Sequence, residues 1–172
     1  MKTHKLTELN ACPDAVIWAT SQPDEQTAWD NCERGDWMLW LLGKLSKGPR
    51  SKSRKKLVLT ACECARLALE HVPKSEDRPR IAIETAEAWA RGEATLQEVR
   101  DAAYAAADAA AAYAAYAAYA AADADAYAAA YAAADAAADA ADDAADAYAA
   151  RKKTLKQCAE IVRKHYPKTP KL

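Results

Sequence analysis

The string in this chain nearest to a catalytic motif is Asp142-Asp143-Ala144-Ala145-Asp146. Carboxylates at i and i+4 share one helix face and can chelate a hard cation, and the D-D-x-x-D spacing elsewhere holds magnesium and a diphosphate. The surroundings argue against that chemistry here. Residues 101–150 consist of 34 Ala, nine Asp and seven Tyr, so composition alone generates such strings. No clear second metal motif accompanies it. We therefore expect no metal, no cofactor and no catalysis, and a magnesium-dependent enzyme is the least favoured of three functional readings.

The other reactive side chains are sparse. Cys62-Glu63-Cys64 points its thiols about 200° apart on a helix, too divergent to chelate one ion or to bond each other easily. Both are expected to be small buried hydrophobes. The three histidines offer no triad and no zinc site. His4 sits in a terminus that should fray. His71 and His165 fall near predicted helix C-termini, where a cation is favoured on structural grounds.

Two groups of cations could hold an anion. Seven Lys and Arg lie between Lys44 and Lys56, among them Lys52 and Arg54. Such a run is ordinarily a solvated surface, although it could grip phosphate. Trp37 and Trp40 lie close enough in sequence to stack a base, but their apolar helix assigns them to the core. Arg78 and Arg80 suit a carboxylate or phosphate better, because guanidinium forks bind such groups bidentately. Internal pairing with Glu76, Asp77 or Glu84 is the first expectation for them. Together these cations define the second reading, a helical sponge for a small anionic ligand such as a signalling nucleotide.

These side chains must be carried by helices. Residues 5–11 suit a short helix closed by Pro13, and Asp14 to Ser21 a second. Pro23-Asp24 opens a third, Glu25 to Cys32. Gly35-Asp36 stops it, with Asp36 as N-cap of a run, Trp37 to Leu42, that is apolar all round and should be deeply buried. Gly48-Pro49 ends that helix. The next covers Ser53 to His71, and Pro73 closes it. Pro79 sits near the first position of a helix running to Arg91, which Gly92 terminates. Thr95 and Glu98 then form a capping box. Alanine is the best helix former, so the tract that follows should be helical. One rod from Thr95 to Tyr166 would be about 110 Å long at about 1.5 Å per residue, so the tract should fold back. Asp123-Ala124-Asp125 and Asp142-Asp143 are the expected turns. Arg151 to His165 regains an ordinary amphipathic pattern.

Alanine faces let backbones approach closely, with Tyr side chains filling the gaps. Tyr116 and Tyr119 belong to a broad Tyr sector of the tract, while Asp139, Asp142, Asp143 and Asp146 share another side. That acidic stripe can solvate the bundle, neutralise the basic loop or last helix, or face a basic partner, where it would set on-rate and partner choice. The same Ala-lined faces also suit a homodimer. An ice-binding role is set low, because no Thr occurs between Thr95 and Thr154.

The formal net charge is −1, so no global field steers the chain to nucleic acid or a membrane. Charge is segregated instead: net +2 over residues 1–92, −10 over 93–150 and +7 over 151–172. The N-terminus leads into no apolar stretch, and Asp interrupts the alanine tract too often for a membrane span. Five cysteines without a secretion signal suit reduced thiols in the cytoplasm.

Asp77-Arg78-Pro79-Arg80, then Ala82-Ile83-Glu84, then Ala88-Trp89-Ala90-Arg91-Gly92-Glu93, followed by alanine-rich helices, resemble a bacterial family of immunity proteins of toxin systems, the immunity protein 5-like family. The Cys32-Glu33-Arg34-Gly35-Asp36-Trp37 segment, with Trp40, is similar to the N-terminal part of longer, often phage-borne relatives. The resemblance implies stoichiometric binding to a toxin or defence protein and brings no catalytic residues. The family's alanine tract often carries Gly and His. This one has neither, so no ligand role of such histidines transfers.

The sequence therefore predicts an all-α multi-helix bundle of about seven to nine helices, with Ala-rich, closely packed C-terminal helices. A Trp-rich half (1–92) and an Ala/Tyr/Asp-rich half (93–172) should pack as one domain. The leading reading is a non-enzymatic cytoplasmic immunity or counter-defence protein with a protein partner and no membrane association. Its candidate contacts are Arg78, Arg80, Lys52, Arg54, Tyr116, Tyr119, Asp139, Asp142, Asp143 and Asp146.

Overall fold

The computed structural model describes residues 3–48, 51–107, 134, 135, 138 and 144–172. Among them are eight α-helices, one 3-10 helix and no strand. The expected turns at Asp123-Ala124-Asp125 and Asp142-Asp143 lie outside the described residues.

Local chemistry sets the first three helices. Helix α1 (Thr3–Glu8) does not run on to Pro13. It ends in a turn where Asn10 takes a left-handed φ of 62°, a conformation that Asn tolerates better than most residues. Pro13 instead opens α2 (Pro13–Thr20), since its fixed φ and missing N–H suit a first helical position. Helix α3 (Glu25–Asn31) starts as expected: Asp24 accepts the Thr27 N–H at 2.9 Å.

Helix α4 (Gly35–Leu45) corrects two expectations. Arg34, not Asp36, occupies the cap position. Asp36 lies inside the first turn, fully buried, and takes both forks of the Arg34 guanidinium at 2.9 and 2.6 Å. Nor is the following run buried all round. Met38, Leu39 and Leu42 enter the core, but Trp37, Trp40 and Leu41 stay half-buried.

Helix α5 (Lys52–Ala65) is capped by Ser51, which accepts the Arg54 N–H at 3.1 Å. It tightens into a 3-10 helix over Arg66–His71 rather than continuing as α-helix. Helix α6 (Arg78–Arg91) stops at Gly92, whose φ of 93° needs a residue without Cβ. The Thr95 capping box forms in both directions, with the Glu98 N–H on Thr95 Oγ1 and the Thr95 N–H on Glu98 Oε2, and starts α7 (Leu96–Ala107). Helix α8 (Ala144–His165) begins earlier than the amphipathic pattern suggested.

Helix α5 packs against α4, α6 and α8, while α7 packs on α6. The shared core includes Leu39, Leu57, Val58, Ile83, Val99 and Val162, none more than 2% exposed. Alanines such as Ala61, Ala86, Ala106 and Ala159 sit fully buried among them and allow close helix approach. At Gly35, α4 meets the α8 backbone at Cys158 and Ala159 so closely that no side chain fits between them.

Charge pairs hold the last helix against the front of the chain. Lys156 bonds Glu33 at 2.7 Å, and Arg163 donates to the Cys32 carbonyl at 2.6 Å. Lys164 and His165 both reach Glu63. Burial raises the Glu63 carboxyl, but those two partners outweigh it and hold it below its ordinary range. From the Asp-rich tract, Asp135 pairs with Arg151. Beyond α8, Tyr166 accepts the Trp29 indole N–H at 2.7 Å through its carbonyl, and the Thr169 N–H bonds Gln26.

Candidate functional site

The described residues do not assemble the predicted contacts into one site. Arg78 forks onto Glu76 at 2.7 and 2.5 Å, and this bond pulls the Glu76 carboxyl down to about 2. Arg80 bridges Asp77 at 2.7 Å and Glu84 at 3.1 Å. An anionic ligand at either guanidinium must displace carboxylates already seated there. Lys52 and Arg54 occupy the first turn of α5, exposed and half-buried. Tyr116, Tyr119, Asp139, Asp142 and Asp143 lie outside the described residues. Asp146 is exposed in the first turn of α8.

Among the described residues no group of three or more His, Cys, Asp or Glu side chains is placed to hold a metal ion, and no helix is long and apolar enough to cross a membrane. Cys32, Cys62, Cys64 and Cys158 are buried thiols, and Cys12 is exposed. Burial pushes Cys32 up to about 11 and Cys62 up to about 12, so neither supplies thiolate near neutrality. The folded protein is expected to take one iodoacetamide adduct, on Cys12, and five once denatured, counted by intact mass. Rapid native labelling of a second cysteine would contradict this burial.

Tyr104 and Tyr148 do not fill gaps between alanine faces as expected. They are 62% and 71% exposed: Tyr104 lies away from the buried Ala103 and Ala106 of α7, and Tyr148 stands at an open cavity that Trp18, Trp37 and Arg151 also line. Asp101 lies one turn before Tyr104, on the same side of α7. Beside them, α6 and α7 enclose a shallow groove of about 500 Å³, lined by Glu84, Glu98, Asp101 and Ile81. Ile81 is 45% exposed there. This groove is acidic around an apolar centre, and the sequence patterning that marked the Asp stripe did not reach it.

A second concavity went unforeseen. Trp18, Trp29, Trp37 and Trp40 line one cleft of about 380 Å³ between α2, α3 and α4. The signal was present as the half-polar neighbours of those tryptophans, but an apolar run by itself reads as core.

The family model described as "Imm-5 like putative immunity protein" matches residues 49–170. The chain belongs to this Imm-5 like family. Residues 49–170 carry α5 to α8 and the α6–α7 groove, while α1 to α4 and most of the tryptophan cleft precede them. Within the Imm-5 like region, the motif residues prove architectural. Pro79 is buried at the start of α6, Trp89 joins the core and Gly92 ends the helix. No curated protein and no solved structure matches the chain.

Proposed function

We propose that this Imm-5 like protein neutralises a toxin or defence macromolecule by stoichiometric binding, without catalysis, in the cytoplasm. The observation that carries the reading is the pairing of family with surface. The family-matched helices α6 and α7 present Ile81 and Tyr104 to solvent, with Glu84, Glu98 and Asp101 beside the apolar groove. An exposed aromatic beside an apolar groove is the composition of an interface centre; Glu84 is already paired with Arg80, so Glu98 and Asp101 are the carboxylates that favour a basic partner. The five free thiols suit a reducing compartment.

Native mass spectrometry of the chain isolated from its own host tests this reading. The expected species is a one-to-one complex with a macromolecule. Ile81→Ser with Tyr104→Ala should lower its recovery by about tenfold, the factor that about 1.4 kcal/mol of binding energy gives. Circular dichroism should stay unchanged, since both side chains are exposed. A chain that emerges alone, or with a small molecule only, overturns the proposal.

A further inference from the structure

The basic segment joining α4 to α5 is explained neither by the packing of the helices nor by the proposed interface. From Trp37 to Cys62 the chain has seven Lys and Arg and no Asp or Glu. Elsewhere the helices match cations with carboxylates, as at Arg66–Glu87, Arg80–Glu84 and Lys156–Glu33. Among the described residues, Lys44, Lys47, Lys52, Lys55 and Lys56 have no carboxylate partner. Lys55 is half-buried and the other four are exposed. The Lys47 N–H donates to Ser53 Oγ at 3.2 Å, which holds the end of the α4 loop against the first turn of α5.

This placement works against the stability of the helix. The first turn of α5 carries Lys52, Arg54 and Lys55 and no acidic residue. The helix dipole favours anions there, so the cations are repelled by it and by one another. A bound polyanion would relieve both. The aromatic neighbours do not cancel the charge. Lys44, Lys55 and Lys56 Nζ lie 5.7, 5.8 and 4.3 Å from the ring centroids of Trp40, Trp89 and Tyr166. These contacts position the ammonium groups and cover the ring faces on which unpaired bases would stack.

The missing features decide the kind of partner. Protein interface centres are depleted in lysine and rest on apolar anchors. The large apolar side chains exposed among the described residues are Ile17, Ile81, Tyr104 and Tyr148, and none belongs to this segment. Phosphates along a duplex require only a row of cations. The net charge of −1 does not oppose this, because fields are screened within about 8 Å at physiological salt.

We propose that the end of α4 and the first turns of α5 form a surface that binds the backbone of a nucleic-acid duplex without reading its sequence. It shares no residue with the α6–α7 groove and stands whether or not that groove binds a protein.

Fluorescence anisotropy of two labelled DNA duplexes of unrelated sequence, titrated with the full chain, tests the proposal. Both should bind equally, and roughly a hundredfold more weakly at about 200 mM than at about 50 mM salt, as about four phosphate contacts require. Lys44→Gln, Lys47→Gln and Lys52→Gln together should reduce the logarithmic salt slope by about 3. Circular dichroism should stay unchanged, since all three are exposed. Lys152→Gln with Lys153→Gln, exposed on α8, should leave the slope as it was. No binding at the lower salt, or a slope lost in the α8 variant and kept in the α4–α5 variant, overturns the proposal. So does a single strand bound more tightly than the duplex, or polyglutamate that displaces the label as well as unlabelled duplex does.

Discussion

Gly35→Ala is expected to destabilise the protein by about 3 kcal/mol, although alanine is the better helix former. Two effects oppose each other at this position. Replacing a helical glycine by alanine gains up to about 1 kcal/mol from propensity and chain entropy, and less at a first position. Against that, a Cβ on Gly35 would lie 2.4 Å from Cys158 Cβ, 2.6 Å from the Ala159 nitrogen and 2.7 Å from the Cys158 carbonyl carbon. Two of those three atoms are backbone, so no rotamer change relieves the contact. Helix α4 must move off α8, opening a layer that includes Leu39 and Val162. Overpacking of a filled core costs about 1–3 kcal/mol and sometimes more, and here it outweighs the propensity gain. Thermal denaturation should show a midpoint lower by roughly 6–12 °C, at about 2–4 °C per kcal/mol for a chain of this size. Cys158→Ala keeps its Cβ and should not rescue the variant. An unchanged or raised midpoint would mean that α4 and α8 do not touch as described.

What the sequence disclosed divides by range. Asp24, Gly92 and the Thr95–Glu98 box act over three or four residues, and each sits where its local chemistry put it. The pairing of Arg78 and Arg80 with Glu76, Asp77 and Glu84 is equally local. The all-α class followed from alanine, caps and periodicity together. Asp36 shows the limit. As an Asp after a glycine it reads as a cap, yet the close approach of Gly35 to α8 buries it and turns its carboxylate to Arg34. Trp37 and Trp40 show the same limit from the apolar side. Their hydrophobicity was plain, but their half-exposure depends on where α2 and α3 stop, and on a tail about 130 residues further along the chain. The α6–α7 groove depends likewise on how two helices dock. Alanine faces leave gaps for Tyr to fill, but Tyr104 lies away from the buried Ala103 and Ala106, and Tyr148 stands at an open cavity instead of a closed helix contact.

The Arg34–Asp36 pair gives the second large effect. Arg34→Met is expected to cost about 3 kcal/mol, more than Asp36→Ala in the same background. Asp36 is fully buried and Arg34 is 38% exposed, so the two partners lose unequally when the other goes. Removing the arginine strands a carboxylate in the core, and breaking a buried pair from one side costs about 3–5 kcal/mol. Water reaching past the exposed part of the Arg34 site places the loss at the lower end. The stacking of Arg34 on Trp37, about 0.5–1 kcal/mol, is lost too, but methionine's sulfur contact with the ring offsets it. Removing the aspartate instead leaves an arginine that can turn to solvent. The double variant, Arg34→Met with Asp36→Ala, should therefore be more stable than Arg34→Met alone, because the stranded charge is gone. Urea denaturation of the four proteins measures this as a coupling energy. If the double variant is the least stable of the four, the costs simply add, and the two side chains do not act as the buried pair that fixes the first turn of α4 and the wall of the tryptophan cleft.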